Sequence, residues 1–83
     1  MLITTTETIE GKKLEYIGLV GGWCINNVGG MKKLGDKLMV KTMDELKASI
    51  EEAAVPMGAD AVVGLKVQFE KYVTGVGTAV RFV

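Results

Sequence analysis

Two segments near the start of the chain carry the pattern of a β-strand. The first segment, residues 2–6, is short and consists mostly of β-branched residues. The second, residues 13–20, is rich in apolar side chains. Both compositions favour a strand. The second segment has Leu14, Tyr16 and Val20 on one face and Ile17 and Leu19 on the other. A strand with one solvated face alternates more cleanly, so we expect both faces of this strand to be covered.

A glycine-rich stretch separates this strand from the next periodic segment. Residues 21–30 contain four glycines and two asparagines. These residue types favour turns and positive-φ conformations. We therefore predict a loop over the whole stretch.

From Met31 to Met57 the apolar spacing changes to steps of three and four, which is the period of a helix. The stripe consists of Met31, Leu34, Leu38, Thr42, Leu46, Ile50, Ala53 and Met57. We predict one long helix, because the stripe keeps its phase throughout. The alternative is a short helix or strand over residues 31–40 and a second helix from Thr42, where the sequence TMDE matches a capping box. Pro56 should kink or end the last turn, and Gly58 fits the left-handed cap that follows.

The last third of the chain alternates with a period of two. Over residues 60–70, one face carries Ala61, Val63, Leu65, Val67 and Phe69, and the other carries Val62, Gly64, Lys66, Gln68 and Glu70. We expect the first set to pack on the helical stripe. Residues 71–75 form the predicted turn and residues 76–83 the last strand, so the two strands make an antiparallel hairpin.

These elements predict an α+β fold in a single domain, residues 1–83. It is a two-layer sandwich in β-α-β-β order, with an antiparallel sheet and one long helix packed on one face. No predicted element of the same chain packs on the other face of the sheet. A chain of 83 residues buries only about 60–65% of its unfolded surface. One cysteine and no histidine exclude an intrachain disulfide and a Cys/His zinc site, so we expect a homo-oligomer.

The charge balance narrows the classes of partner. Ten basic and ten acidic residues give zero net charge, which argues against an electrostatic nucleic-acid binder. No apolar run approaches the roughly 20 residues of a membrane span, and the first residues lack the basic and apolar regions of a signal peptide. A lone free thiol suits a reducing compartment, so we expect a cytoplasmic protein.

Four motifs resemble those of one known family. Residues 4–13 (TTTETIEGKK) followed by residues 15–20 (EYIGLV) resemble the opening of the YbjQ-like heavy-metal-binding family. Residues 28–30 (VGG) resemble the glycine pair before its long helix. Residues 58–64 (GADAVVG) resemble its helix-to-strand signature, and residues 77–80 (GTAV) its closing strand. The motifs fall in the family's order and cover most of the chain.

The resemblance implies a β-α-β-β subunit of dodecin-like type that assembles into a ring, typically a pentamer, with no known enzymatic activity. A small archaeal selenium-binding protein is similar in size and build. The chain departs from the longer members of the family in a shorter segment between Val20 and Val28 and in a trimmed loop before the last strand.

Cys24 is the candidate ligand for a soft metal or a reduced selenium species, because a thiolate binds soft elements. One cysteine cannot complete a zinc or copper site alone, but a ring brings several copies of the same residue together. The alternative is a small buried apolar residue beside Trp23. Trp23, in turn, is either a packing residue or a platform that stacks on a ligand.

Other residues carry weaker signals. The glycine-rich stretch precedes a helix, whose N-terminus favours anions, but it lacks the P-loop ending and the dinucleotide spacing. Met31, Met43 and Met57 sit at helical spacings, which favours packing. Asp60 is interpreted as a helix-end or strand-start group. We do not expect an enzyme, because the sequence offers no histidine and no recognisable catalytic pair.

Three functions remain open at this point. The first is a cytoplasmic homo-oligomeric binding protein that holds a heavy metal or selenium through Cys24. The second is a ring whose interfaces bind a small organic ligand or anion, with Trp23 and the glycine-rich stretch lining the site. The third is a ring-forming scaffold with no small ligand.

Overall fold

One helix lies across one face of a four-stranded sheet. A computed structural model describes residues 1–26 and 35–83. The elements are β1 (Leu2–Ile3), β2 (Leu14–Ile25), α1 (Gly35–Ala54), a 3-10 turn (Val55–Met57), β3 (Ala61–Phe69) and β4 (Tyr72–Phe82). The strands lie in the order β1-β3-β4-β2. The predicted α+β sandwich and its β-α-β-β order are confirmed.

The short strand β1 makes the sheet mixed. β4 pairs antiparallel with both β2 and β3, whereas β1 pairs parallel with β3 through Leu2↔Ala61 and Ile3↔Val62. The expectation of a wholly antiparallel sheet is therefore wrong at this edge. Parallel neighbours need a long crossover connection, and β2 together with α1 provides it.

The helix α1 is continuous through Thr42. The single-helix prediction is confirmed over the described residues, and the alternative helix start at Thr42 is wrong, since Thr42 is fully buried in the helix interior. Residues 31–34 of the predicted helix lie outside the described residues. Pro56 lies in the 3-10 turn, and Gly58 follows as a left-handed cap with φ of 78°, its N–H donating to the Val55 carbonyl at 3.0 Å. The predicted helix end is thus confirmed.

The buried stripe of α1 follows steps of four at its C-terminal end. Leu46, Ile50 and Ala54 are completely buried, and each fully buried leucine or isoleucine contributes roughly 1.5–3 kcal/mol through the hydrophobic effect. Ala53, which we placed on the stripe, is exposed instead. We expected the last step of the stripe, from Ile50, to be three residues long, but it is four, like the steps before it. A four-residue step is slightly more than one helical turn, so Ala54 and not Ala53 faces the sheet.

A β-bulge at Gly64 exchanges the two faces of β3. The register with β4 shifts between Val63 and Lys66, and Gly64 has φ of 63°, a conformation that glycine adopts without steric cost. Before the bulge, Val62 packs under the helix, and after it Leu65 does so. Val63 therefore lies on the helix-free face, so our assignment of Val63 to the helix side is wrong.

The same correction applies to Ala61, which joins Val63 and Val80 in a smaller cluster with Ile9 and Leu14. This cluster covers one end of the helix-free face from within the same chain. The expected open face is consequently limited to the other end of the sheet.

A second bulge, between Tyr16 and Gly18, divides β2 in the same way. Leu14 packs in the smaller cluster, whereas Ile17 and Val20 contact the main core under α1. Our grouping of Val20 with Leu14 on one face is therefore wrong. An extra residue in one strand moves every later side chain to the opposite face.

β2 continues through Ile25 into the stretch predicted to be a loop. That prediction is wrong for residues 21–25, and residues 27–30 lie outside the described residues. Gly22 serves close packing here, because a Cβ atom at this position would lie 2.7 Å from Ser49 Oγ and 2.8 Å from the Ile50 nitrogen. The helix backbone can approach the strand only where the side chain is absent.

β4 begins at Tyr72, so the predicted turn over residues 71–75 is also wrong. Its first half pairs with the additional length of β2, from Ile25↔Tyr72 to Gly21↔Val76. β3 pairs with the other edge of the same half of β4, from Lys66↔Val76 to Phe69↔Val73. The pair of strands β2 and β4, which extends beyond β1, is called the β2–β4 ribbon below. This ribbon carries most of the features described below.

Candidate functional site

The helix-free face of the β2–β4 ribbon is an exposed apolar surface. It consists of Leu19, Trp23, Ile25, Tyr72 and Val76, called the outer patch below. These side chains expose 78%, 59%, 60%, 49% and 51% of their surface. The register places Ile25 opposite Tyr72, and the aromatic rings contact across the ribbon.

Trp23 and Tyr72 meet edge to face in the outer patch. Their ring centroids lie 5.5 Å apart with an interplanar angle of 83°, a favoured geometry for aromatic pairs. Together with Thr74 they line a shallow depression of about 340 Å³. Lys71 Nζ lies 5.9 Å from the centre of the Tyr72 ring, at the limit of a cation–π contact.

Cys24 points into the opposite layer. Its side chain is 8% exposed, and the Sγ–H donates to the Thr42 carbonyl oxygen at 3.4 Å. Burial raises the pKa of the Cys24 thiol, and the negative charge of Glu45 raises this pKa further. The expectation of a thiol in a flexible loop is wrong, because the strand extension carries Cys24 under α1.

The two sequence-predicted site residues are therefore not brought together. Trp23 and Cys24 are neighbours in a strand, where successive side chains point to opposite faces. Trp23 lies on the open surface and Cys24 in the core. A role of either residue in ligand binding stays a prediction.

Met43, Met57 and Asp60, which were also considered as candidate ligands, contribute to the packing and hydrogen bonding of the fold. Met43 and Met57 pack against the main core as expected, and Met31 lies outside the described residues. Asp60 accepts the Phe82 N–H through Oδ2 at 2.9 Å, which fits its interpretation as a strand-start group. Within residues 1–26 and 35–83, no three His, Cys, Asp or Glu side chains cluster as metal ligands do.

A polar concavity beside the outer patch on the helix-free face, where Lys66 pairs with Val76 and Thr78 with Leu19, was not anticipated from sequence. It has a volume of about 280 Å³ and is called the polar pocket below. Its lining residues are Glu7, Tyr16, Val63, Gly64, Lys66 and Thr78. A glycine within an alternating strand signals a bulge, and Gly64 was the clue that could have pointed to it.

A small helix-on-sheet protein with an exposed aromatic ribbon is the class that the fold and surface define. The chain belongs to the UPF0145 family. A UPF0145 protein of Clostridium kluyveri is 33% identical, over 96% of this chain and 97% of the relative. One of Acetivibrio thermocellus is 32% identical with the same coverage. The YbjQ-like family is this same UPF0145 group, so the family resemblance is confirmed, without any demonstration of heavy-metal binding.

The solved structures give the same fold. A protein of unknown function from Pediococcus pentosaceus, assigned to the DUF74 family, matches with a TM-score of 0.73 at 21% identity, over 100% of this chain and 98% of that chain. No family model matches the sequence. The alignment with the Clostridium kluyveri protein is 103 positions long, so that relative carries residues which this chain of 83 lacks.

The described residues also bear on membrane insertion. Across residues 1–26 and 35–83, no helix combines the length and the apolar character that crossing a bilayer requires.

Proposed function

We propose that this chain is the subunit of a homo-oligomeric scaffold in which the outer patch is buried against another copy. The observation that carries the proposal is the exposure of five large apolar side chains on one continuous face of the β2–β4 ribbon. Monomeric proteins rarely leave such a face open to water. The ring expected from the family resemblance supplies a second copy as the cover.

The size of the outer patch supports this assignment. Five large side chains that are each exposed by about half or more offer on the order of 500–700 Å². A standard interface buries roughly 800 Å² on each partner. The patch is therefore large enough to form the centre of a stable contact, with polar neighbours such as Gln68, the β3 partner of Thr74, at its rim.

Val76→Lys tests the proposal against a matched control, Val40→Lys. Val76 is 51% exposed in the outer patch, and Val40 is 62% exposed on α1, so both positions accept a lysine without core disruption. We expect sedimentation velocity at micromolar concentration to show dissociation of Val76→Lys and an intact oligomer for Val40→Lys, since a charge at a buried contact is costly. Identical sedimentation of the two variants would remove the outer patch from the contact.

A second candidate function is the binding of a flat organic molecule at the depression between Trp23 and Tyr72. The lining is almost entirely apolar and aromatic, as in many small-molecule sites. Because Trp23 is the single tryptophan, its fluorescence reports on this site alone. Quenching that saturates with a flavin, nucleotide or other aromatic ligand supports the function, and a flat response to all of them argues against it.

The binding of a heavy metal or selenium through Cys24 stays a prediction of lower rank. The thiol is buried, protonated and hydrogen-bonded to the Thr42 carbonyl, so binding needs a local opening of α1 over β2. Elemental analysis of the wild type and Cys24→Ser separates the cases. Equal metal and selenium contents would exclude Cys24 as the ligand.

The proposal retains the remaining expectations from the sequence. It assigns the subunit no catalytic reaction, no nucleic-acid partner and a cytoplasmic location. A pentameric ring is the form that the family resemblance favours.

A further inference from the structure

We propose that the polar pocket binds a small zwitterion, such as a free amino acid, between the Glu7 carboxylate and the Lys66 ammonium. The pocket is separate from the depression at Trp23 and is built by residues of one chain. The inference therefore goes beyond the proposed assembly and does not rest on it.

The bulge in β3 creates the floor of this pocket. The Gly64 N–H donates to the Thr6 carbonyl at 2.7 Å, and the Leu65 N–H donates to the Thr4 carbonyl at 3.0 Å. These bonds hold the N-terminal segment against the bulge and so position Glu7 beside it. A Cβ atom on Gly64 would have only Glu7 Cγ within 4.0 Å, which shows that the space above the bulge is open.

The walls come from three strands. Val63, only 2% exposed, gives an apolar surface. Tyr16 on β2 and Thr78 on β4 add a phenol and a hydroxyl group. Lys66, the second residue after the bulge, lines the same concavity and is the one basic residue among its described lining.

The polar groups of the pocket are available to a ligand. Among the described residues, the ion pairs are Met1 with Glu51 and Arg81 with Glu15, so neither Glu7 nor Lys66 forms one. The concavity is lined by one acidic and one basic residue, so a simple anion meets repulsion from Glu7 and a simple cation meets repulsion from Lys66. A molecule with both an ammonium and a carboxylate group satisfies both residues at once.

Size restricts the ligand further. At about 280 Å³, the pocket is slightly smaller than the usual range for small-molecule sites, roughly 300–1,000 Å³. It suits an amino acid better than a nucleotide. The exposed ring of Tyr16 provides a surface for a short apolar side chain, and Thr78 can donate or accept one hydrogen bond.

Saturation-transfer NMR with a mixture of common L-amino acids tests the inference on the full chain. We expect transfer to at least one amino acid with the wild type, and no transfer to acetate or methylammonium, each of which carries one charge alone. Glu7→Gln and Lys66→Gln should each weaken the titrated affinity by about tenfold or more. Both positions are exposed, so circular dichroism should show that the variants remain folded.

Glu52→Gln and Lys47→Gln are matched controls, because both side chains are exposed on α1. They should leave the affinity unchanged. The inference is overturned if no amino acid gives transfer with the folded wild type. It is equally overturned if the double variant Glu7→Gln/Lys66→Gln binds as the wild type does.

Discussion

Thr42 is the one polar side chain buried in the described core. Its Oγ1 atom is inaccessible and has no hydrogen-bond partner among the described residues. A buried hydroxyl group without a partner loses its hydrogen bonds to water and gains nothing in return. The residue fills the helical stripe by shape, at a cost in stability.

Thr42→Val should therefore stabilise the fold. Valine has nearly the same shape and helix propensity but no hydroxyl group to desolvate, so we expect the free energy of unfolding to rise by about 1 kcal/mol. Urea denaturation measures the change. Thr5→Val, at an exposed position away from the outer patch, is the control and should change stability by no more than about 0.5 kcal/mol. A loss of stability in Thr42→Val would mean that the hydroxyl group has a partner.

Cys24 makes stability depend on alkaline pH. The folded protein holds the thiol proton more tightly than the unfolded chain, because burial raises the pKa above the ordinary value of 9.0. Above that value the unfolded chain binds fewer protons, so the free energy of unfolding falls as the pH rises toward the folded-state pKa. Below the ordinary pKa the contribution is fully present.

A comparison with Cys24→Ala isolates this dependence from other titrating groups. Urea denaturation between about pH 8 and pH 10.5 should show the wild type losing more stability than Cys24→Ala as the pH rises. Parallel curves for the two proteins would show that the thiol ionises equally in the folded and unfolded states.

At the scale of elements, the contact between α1 and β2 depends on Gly22. The Trp23 N–H donates to Ser49 Oγ at 3.2 Å, and this bond ties the helix to the strand beside the glycine. Any side chain at position 22 would collide with Ser49 and the Ile50 backbone. The close approach of the two backbones therefore requires glycine at this position.

Gly22→Ala should destabilise the protein by about 2 kcal/mol, the order seen for overpacked cores. Gly18→Ala is the control in the same strand, because its added methyl group would find its nearest atom, Met57 Cε, at 3.7 Å. Thermal unfolding followed by circular dichroism compares the two. A Gly22→Ala protein as stable as Gly18→Ala would show that α1 can move away from β2 without loss.

The sequence predicted the order of elements, the continuous helix and its end at Gly58, because those features depend on local periodicity and capping. The predictions failed at the two bulges, because the alternation of apolar residues alone does not mark one extra residue and the signal of Gly64 in β3 was not used. They also misassigned residues 21–25, where glycine composition suggested a loop. Gly22 is required by the approach of α1, a contact between segments that composition does not show.

Only some residues of the outer patch, and none of the polar pocket, were predicted from the sequence as parts of a site. Trp23 was singled out, and the structure places it on the open face of the ribbon. Cys24 was singled out with it, although their adjacency in one strand puts them in different layers. The polar pocket was missed, because its residues come from four separate parts of the chain and Gly64, which signals the bulge, was the one local clue.

At the scale of the whole molecule, the two faces of the sheet are shielded from solvent to different extents. α1 closes one face of the sheet, and the N-terminal segment with Ile9 closes one end of the other face. The ribbon of β2 and β4 stays under α1 on the helix side, where Cys24 and Val73 are buried, but its helix-free face leaves the outer patch exposed. We propose that a homo-oligomer completes this arrangement, because a second copy of the same chain would bury the patch without a different partner protein.

The molar mass in solution tests the outer patch as an oligomer contact most directly. Light scattering on the wild type during size-exclusion chromatography at micromolar concentration should give a mass of at least two subunits of 8.9 kDa each. The family resemblance favours a pentamer. A mass of one subunit, for a chain shown by circular dichroism to be folded, would contradict the account.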